Sequence, residues 1–346
     1  MKIFTFNASQ DTRVEILWSL RPKNRDKIFA EYITENKYTE VNSIQDCQVA
    51  IYPRKAFHPE TLAFDNSVYD AAYQAEKYQK PLIIDATCDS DVFLDIPTAK
   101  ILRCGLYKSL KQTFETECPF WSNFRTKSSL DLLKILPKQK KPAVSFCGTT
   151  SSIGKLSQIG KVLLPIQTAK LVLSSGKISR KIDIRLREGM SLKLRETAIK
   201  LLTIDRRINS YFDVTNPQQS YYNKDESNRI KLENLFVDNI SKCDYVLCVR
   251  GTGNYSGRFY MALNAGRIPV VIDTDIVILF ENKLHLVKVS VKSIEKIGDY
   301  ILEHFETTSE AELEIMKQEN RNVYHQYIAP DKFLPNFLRN VSESPI

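Results

Sequence analysis

Between Arg250 and Arg258 the chain places Gly251, Gly253 and Ser256, a combination suited to holding an anion. Glycine opens backbone conformations closed to other residues, so that several N–H groups can converge on one point. A serine just before a helix is a favoured N-cap, and the helix end behind it carries partial positive charge. Arginine adds a planar fork that matches phosphate oxygens, and it would neutralise a diphosphate leaving group as charge develops. The same two arginines would also serve as surface residues closing a loop. Two other phosphate loops are excluded, since the spacing is not GxGxxG and no GK[ST] follows.

The surrounding elements place this loop. Tyr245–Val249 is a continuous apolar run, as a central parallel strand requires. Phe259, Ala262 and Leu263 describe a short helix with Gly266 just past its end, and Ile268–Ile272 is the next strand. A glycine loop and helix N-terminus at the carboxyl end of a strand is where open α/β sheets bind phosphates.

The same alternation runs through the chain. Lys2–Phe6, Cys47–Tyr52 and Pro81–Asp85 read as buried strands, and Ser67–Tyr78 as a helix with Val68, Ala71, Ala72 and Ala75 on one face. Ile101–Pro119, with Lys111 and Glu115 at i, i+4, reads as helical. Ala143–Phe146 restarts the pattern and runs into Gly148 and a polar loop, and Leu286–Val291 reads as an edge strand. The tail is helical over Ser293–Phe305 and again from Ser309, with Glu312 in capping-box relation, to about Ile328 before Pro330. Only the last few residues, from Val341, read as disordered.

At 346 residues the chain exceeds what one core usually serves, so two domains are expected. Lys138, Lys140 and Lys141 lie between Pro137 and Pro142 and read as an exposed connector. That divides the chain into a first domain over 1–137, a second over 138–328, and a tail over 329–346. The expected fold class is α/β of the GT-B type, two Rossmann-like domains facing a cleft, with a C-terminal helix crossing back. Two-domain dehydrogenases and periplasmic-type binding proteins share that order of elements.

Composition narrows the classes further. The hydrophobic fraction of 43% and charged fraction of 26% are those of globular proteins. A net charge of +8 suits phosphorylated substrates, nucleic acid or an anionic membrane surface alike. The densest basic stretch, Lys177–Arg195, is interleaved with Asp183, Glu188 and aliphatic residues and reads as a solvated face, with contact to an acceptor or to lipid headgroups as the alternative. Aromatic residues are not gathered at the basic clusters and no recognition motif is present, which argues against nucleic acid. Seven scattered cysteines fit reduced, buried thiols. There is no CxxC, and the four histidines have no partner at metal-ligand spacing, so no metal is expected. With neither a leader-like segment nor a membrane-length apolar run, the expectation is a cytoplasmic protein, with peripheral membrane contact left open.

The run RGTGNYSGRFYMALNAGRIPVVIDTD, from Arg250 to Asp275, resembles the signature of exostosin-like proteins of glycosyltransferase family 47, RGxGxxSxRFYEALxxGRIPVxIxTD. KPAVSFCG at Lys141–Gly148 is similar to the first strand of that family's donor domain, and Gln318, Asn320, Arg321 and Tyr324 to its closing helix. The resemblance implies an inverting glycosyltransferase that needs no cofactor or metal. It would take a sugar from a nucleotide-diphosphate donor to a glycan acceptor in surface polysaccharide synthesis. By position it makes Arg250, Gly251, Gly253, Ser256 and Arg258 the diphosphate site. It also marks a departure, Met261, where the family has an acid that can hydrogen-bond the ribose or sugar. Asp273 or Asp275 would substitute, or serve only as turn residues. Inverting transfer needs a base, for which Asp85, Asp89 and Asp91 in IIDATCDSDVF are candidates, with Asp89 and Asp91 preferred over Asp85. Capping and loop solvation account for the same carboxylates equally well. The alternative to an enzyme is a degenerate exostosin-like protein that binds nucleotide or carbohydrate without turnover.

Overall fold

The computed structural model describes residues 1–6, 14, 17, 38–58, 62–90, 92–150, 159, 180–215 and 225–343, with backbone alone for 180–186. The chain divides into two compact units, Met1–Pro119 together with Tyr327–Ile346, and Phe120–Gln326.

The first unit is built on six parallel strands: β1 (Lys2–Phe4), β2 (Thr39–Glu40), β3 (Val49–Lys55), β4 (Leu82–Asp85), β5 (Ala99–Arg103) and β6 (Glu115–Glu117). Their order is β2-β1-β3-β4-β5-β6. Pro53 within β3 lacks a ladder donor, and the β3–β4 register shifts between Ile51 and Lys55. Helix α1 (Ser67–Lys77) buries Val68, Ala71, Ala72 and Ala75, the face its sequence periodicity marks.

Ile101–Pro119 is not a helix. It forms β5, a turn with Gly105 at a positive φ of 79°, and β6. Ile101 and Leu102 bury on both faces of the sheet, which a short apolar run cannot distinguish from a helix in the sequence. Glu115 does not pair with Lys111; it forms a buried ion pair with Arg103 at 3.2 Å. The Arg103 guanidinium also donates to the Ser90 and Val92 carbonyls, fixing the loop after β4.

The second unit carries five parallel strands: β7 (Ala143–Gly148), β8 (Asn209–Val214), β9 (Tyr245–Cys248), β10 (Ile268–Asp273) and β11 (Val287–Ser290), in the order β11-β10-β9-β7-β8. The edge strand β8 has no counterpart in the sequence reading; its side chains are all at least partly exposed, so no apolar run marks it. Numbered within the unit, the order is 2-1-3-4-5, a doubly wound topology whose direction reverses between β7 and β9. The helices are α2 (Phe124–Asp131), α3 (Arg180–Ile204), α4 (Glu226–Ser241), α5 (Gly257–Asn264), α6 (Ile297–Thr307) and α7 (Glu310–Val323). Ser309 and Glu312 form the expected capping box on α7. A π-helical turn, Tyr324–Ile328, leads to α8 (Pro330–Glu343), which packs on β3 of the first unit. Pro330 opens α8, a position where its missing N–H is harmless, and the helix runs to Glu343, so residues 341–343, expected to be disordered, are helical. Two parallel sheets with flanking helices and a C-terminal helix returned to the first unit are the α/β class expected. Among the described residues no helix is long and apolar enough to cross a membrane.

The compact units divide at Pro119–Phe120, upstream of the basic connector. The reason is a row of cations that fix residues 133–138 to the second unit. Arg267 donates to the Lys134 carbonyl at 3.1 Å, Lys317 to that of Leu136 at 2.8 Å and Arg321 to that of Leu133 at 2.6 Å. Lys138 reaches the carbonyls of Phe305 and Thr308, each at 2.6 Å. Lys317 is fully buried and is paired with Asp244 at the foot of β9. Upstream, Asn123 and Arg125 grip the buried Glu233 on α4.

One buried acid in the first unit makes stability depend on pH. Glu117 accepts from the backbone N–H groups of Gly105 and Leu106, each at 2.8 Å. Burial nonetheless pushes its carboxyl up from 4.5 to about 8, against those donors, Arg103 and Lys111. Between these two values the folded protein holds a proton that the unfolded chain has released, so stability falls as pH rises through the window. The melting temperature should decline from about pH 5 to about pH 8, and less steeply in Glu117→Gln, which cannot ionise. An unchanged slope in that variant would contradict the assignment.

Candidate functional site

The carboxyl ends of β7 and β9, where strand order reverses, are where a doubly wound sheet leaves a crevice for a ligand. From β9 the chain passes through Arg250 into a loop that closes with a Gly251 N–H to Tyr255 carbonyl bond of 2.9 Å and then enters α5. Ser256 occupies the N-cap position with extended backbone, but its side chain makes no capping bond. It is 5% exposed, and its hydroxyl has no hydrogen-bond partner. A buried hydroxyl without a partner loses its hydration with no compensation, which costs about 1–3 kcal/mol. Gly257 follows because Phe120 lies across this turn: a β-carbon there would stand 2.8 Å from its ring.

The two arginines of the loop have different surroundings. Arg250, buried, turns back on its own loop: Nη1 donates to Asn254 Oδ1 at 3.1 Å and Nη2 to the Thr252 carbonyl at 2.9 Å. It sets the shape of the cradle. Arg258, in the first turn of α5, reaches across the end of β7, donates to the Cys147 carbonyl, and sits over the Phe146 ring at 4.5 Å. Gly148 makes that possible, since a β-carbon there would come within 1.8 Å of Arg258 Nη2. Burial holds the Arg258 guanidinium below its ordinary range.

Two further arginines join them from α3. Arg187 and Arg195 belong to the basic stretch read as a solvated or membrane-facing surface, yet they are only 2% and 9% exposed. Arg187 lies 3.5 Å from the Thr252 carbonyl, and Ser191, one turn on, bonds the Gly251 carbonyl. Arg195 donates to the Thr149 carbonyl at 3.1 Å, beyond the end of β7. Its neighbours Leu194, Ala198 and Leu202 lie in the core of the unit on the same helix face, so the stripe that carries the arginines is the one that anchors the helix. Burial, then Arg258, then Arg250 push Arg195 down to about 9, with Glu188 acting in the opposite direction. The signal in the sequence is periodic: Arg187, Ser191 and Arg195 recur every fourth residue and form one helical stripe within a run that otherwise looks merely basic.

Of the residues expected at a diphosphate site, Arg250, Gly251, Gly253, Ser256 and Arg258 all lie on this one loop and helix start. Asp273 and Asp275 form a tight turn after β10. Asp273 accepts from the Asp275 N–H at 3.0 Å and pairs with Lys288 at 3.3 Å, while Asp275 adopts a φ of 64°. Thr274 between them joins the turn to the cradle through Asn254 at 2.6 Å. Met261 is buried, at 5% exposure, among the apolar residues of α5. In the first unit, Asp85 is buried and accepts from the Thr87 N–H and hydroxyl. Asp89 is partly exposed on the loop after β4, and Asp91 lies outside the described residues.

No protein-family model and no curated protein matches the chain. Among solved structures, a glycosyltransferase from Rickettsia africae ESF-5 is similar over 99% of this chain and 98% of that one, at 10% identity and a TM-score of 0.38. A sucrose-phosphate synthase from Thermosynechococcus elongatus is similar over 84% of this chain and 66% of that one, at 11% identity and a TM-score of 0.32. S. aureus TarM, as a mutant in complex with Fondaparinux, alpha-GlcNAc-glycerol and UDP, is similar over 91% of this chain and 53% of that one, at 15% identity and a TM-score of 0.29. At these scores the likenesses carry nothing about substrate or mechanism.

Gly148 is the position at which the packing of this site is most exposed to test. Gly148→Ala should displace Arg258 from the Phe146 ring and place a side chain at a φ of 153°, together lowering folding stability by about 1–3 kcal/mol, read by chemical denaturation. A variant as stable as the parent would contradict both effects.

Proposed function

We propose that the chain is a glycosyltransferase whose second unit binds a nucleotide-diphosphate sugar and transfers the sugar to a glycan acceptor. The observation that carries this reading is the buried Ser256 hydroxyl without a partner, set at the N-terminus of α5 and beside Arg258 at the strand-order reversal. A diphosphate there would accept from that hydroxyl and from the free N–H groups of the first turn, with the helix dipole favouring its charge. As the sugar–oxygen bond breaks, charge grows on the departing diphosphate, and fixed donors stabilise it with little reorganisation.

The motif from Arg250 to Asp275 supports an exostosin-like, inverting and metal-independent enzyme of surface polysaccharide synthesis. In a direct displacement the acceptor hydroxyl must lose its proton, and Asp89 and Asp91 are the carboxylates proposed for that role. Localisation in the cytoplasm, with or without peripheral membrane contact, belongs to the same proposal.

A second reading has its own observation. Met261, buried where the family has an acid, offers a ligand no comparable acceptor. A degenerate protein that binds nucleotide or carbohydrate without turnover would have that feature.

Thermal shift with UDP, GDP, ADP and CDP, followed by donor hydrolysis and transfer assays, separates the two. The enzyme reading expects a nucleoside diphosphate to raise the melting temperature, and turnover to be lost in Arg258→Ala. Binding without turnover favours the second reading, and no response to any diphosphate sinks the enzyme reading and leaves of the second only carbohydrate binding. Ser256→Ala should leave the unliganded melting temperature unchanged or raised while weakening diphosphate binding about 5- to 10-fold, because it removes a hydroxyl that only ligand satisfies. Equal affinity in that variant would remove Ser256 from the site.

A further inference from the structure

Arg195 is, with Arg187, one of two cations of this site that neither the motif nor the glycine loop explains. It enters from α3, a separate part of the chain, and it is nine-tenths buried. One Nη donates to the Thr149 carbonyl, and Nε, also buried, has no partner. Among the described residues it makes no ion pair, and two of the charged groups acting on it, Arg258 and Arg250, carry its own sign. Leucine or methionine at this position of an otherwise core-facing helix would avoid both desolvation and like-charge repulsion. The side chain therefore opposes folding unless an anion joins it.

Arg195 faces the loop at Gly251, where a β-carbon would stand 3.6 Å from its Nη2. Arg195 thus reaches the cradle that Arg250 shapes, while Arg258 and the α5 N-terminus bound it from the chain beyond. Ser191 and Arg187 bond carbonyls of the same loop, which ties α3 to the cradle.

Resting on the donor reading above, we propose that Arg195 is a further binding residue for the diphosphate and that it makes the site select a diphosphate over a monophosphate. A monophosphate brings one charged group, which Arg258 and the helix terminus accommodate. The second phosphate supplies the additional negative charge and acceptor oxygens that Arg195 needs. Arginine suits the role because its planar fork can keep the Thr149 carbonyl while offering Nε and the other Nη to phosphate oxygens.

Isothermal titration of the full chain with inorganic pyrophosphate, UDP and UMP, for the parent, Arg195→Gln and Arg195→Lys, tests this. Arg195→Gln should bind pyrophosphate and UDP about 10- to 100-fold more weakly while changing UMP affinity less than about 3-fold. Arg195→Lys should recover part of the loss, since it restores charge without the fork. The unliganded melting temperature of Arg195→Gln should equal or exceed that of the parent, whereas a merely structural role would lower it and weaken all three ligands alike. If the parent binds UDP and Arg195→Gln binds it equally tightly, this inference fails and the donor reading stands. If the parent binds pyrophosphate but none of UDP, GDP, ADP and CDP, the donor reading fails while a loss in Arg195→Gln still supports the anion role. Binding of neither probe overturns both.

Discussion

Guanidinium groups gathered at the carboxyl ends of β7 and β9 repel one another, and the second unit is arranged to keep them together. Neither Arg195 nor Arg258 makes an ion pair among the described residues, and both are held below their ordinary range chiefly by burial. Like charges in a low-dielectric setting separate unless their positions are over-determined. Here each is placed by a different device. Arg258 is seated on Phe146 through the missing side chain of Gly148, Arg250 is bound into its own loop, and Arg195 is carried on a helix anchored by Leu194, Ala198 and Leu202. Perturbed charges of this kind cluster at functional sites and also occur in structural networks.

The stiffness that this requires comes from the opposite end of the sheet. The buried Lys317–Asp244 pair lies at the foot of β9, and the same lysine holds the connector through Leu136. Arg267, Arg321 and Lys138 add further bonds to backbone carbonyls of residues 133, 134, 305 and 308. A basic connector that looks solvated in the sequence is thus partly built into the unit. Its cations find carbonyl oxygens, the negative ends of fixed dipoles, in place of carboxylates.

What the sequence made legible was local. The strand, loop and helix start around Arg250–Ser256 could be read because each is marked locally, but neither Gly251 nor Gly253 adopts the positive φ for which glycine was expected there, and Ser256 makes no capping bond. The α1 face and the α7 capping box could be read because helical periodicity and capping are likewise local. Ile101–Pro119 was misleading because an apolar run buried on both faces suits a strand and a helix equally, and the buried partner of Glu115, Arg103, is remote from the helical pair it mimics. Strand β8 was silent because an edge strand needs no continuous apolar run. Arg187 and Arg195 were misread because their burial is set by contact with loops 65 and 46 residues away, which no window along the chain reveals.

The most direct measurement is a crystal structure of the protein with a bound nucleoside diphosphate. The account predicts phosphate density within hydrogen-bond distance of the Ser256 hydroxyl and the first N–H groups of α5, with Arg258 and Arg195 turned to it. Diphosphate bound elsewhere, or bound with the Ser256 hydroxyl still unpaired, would contradict it.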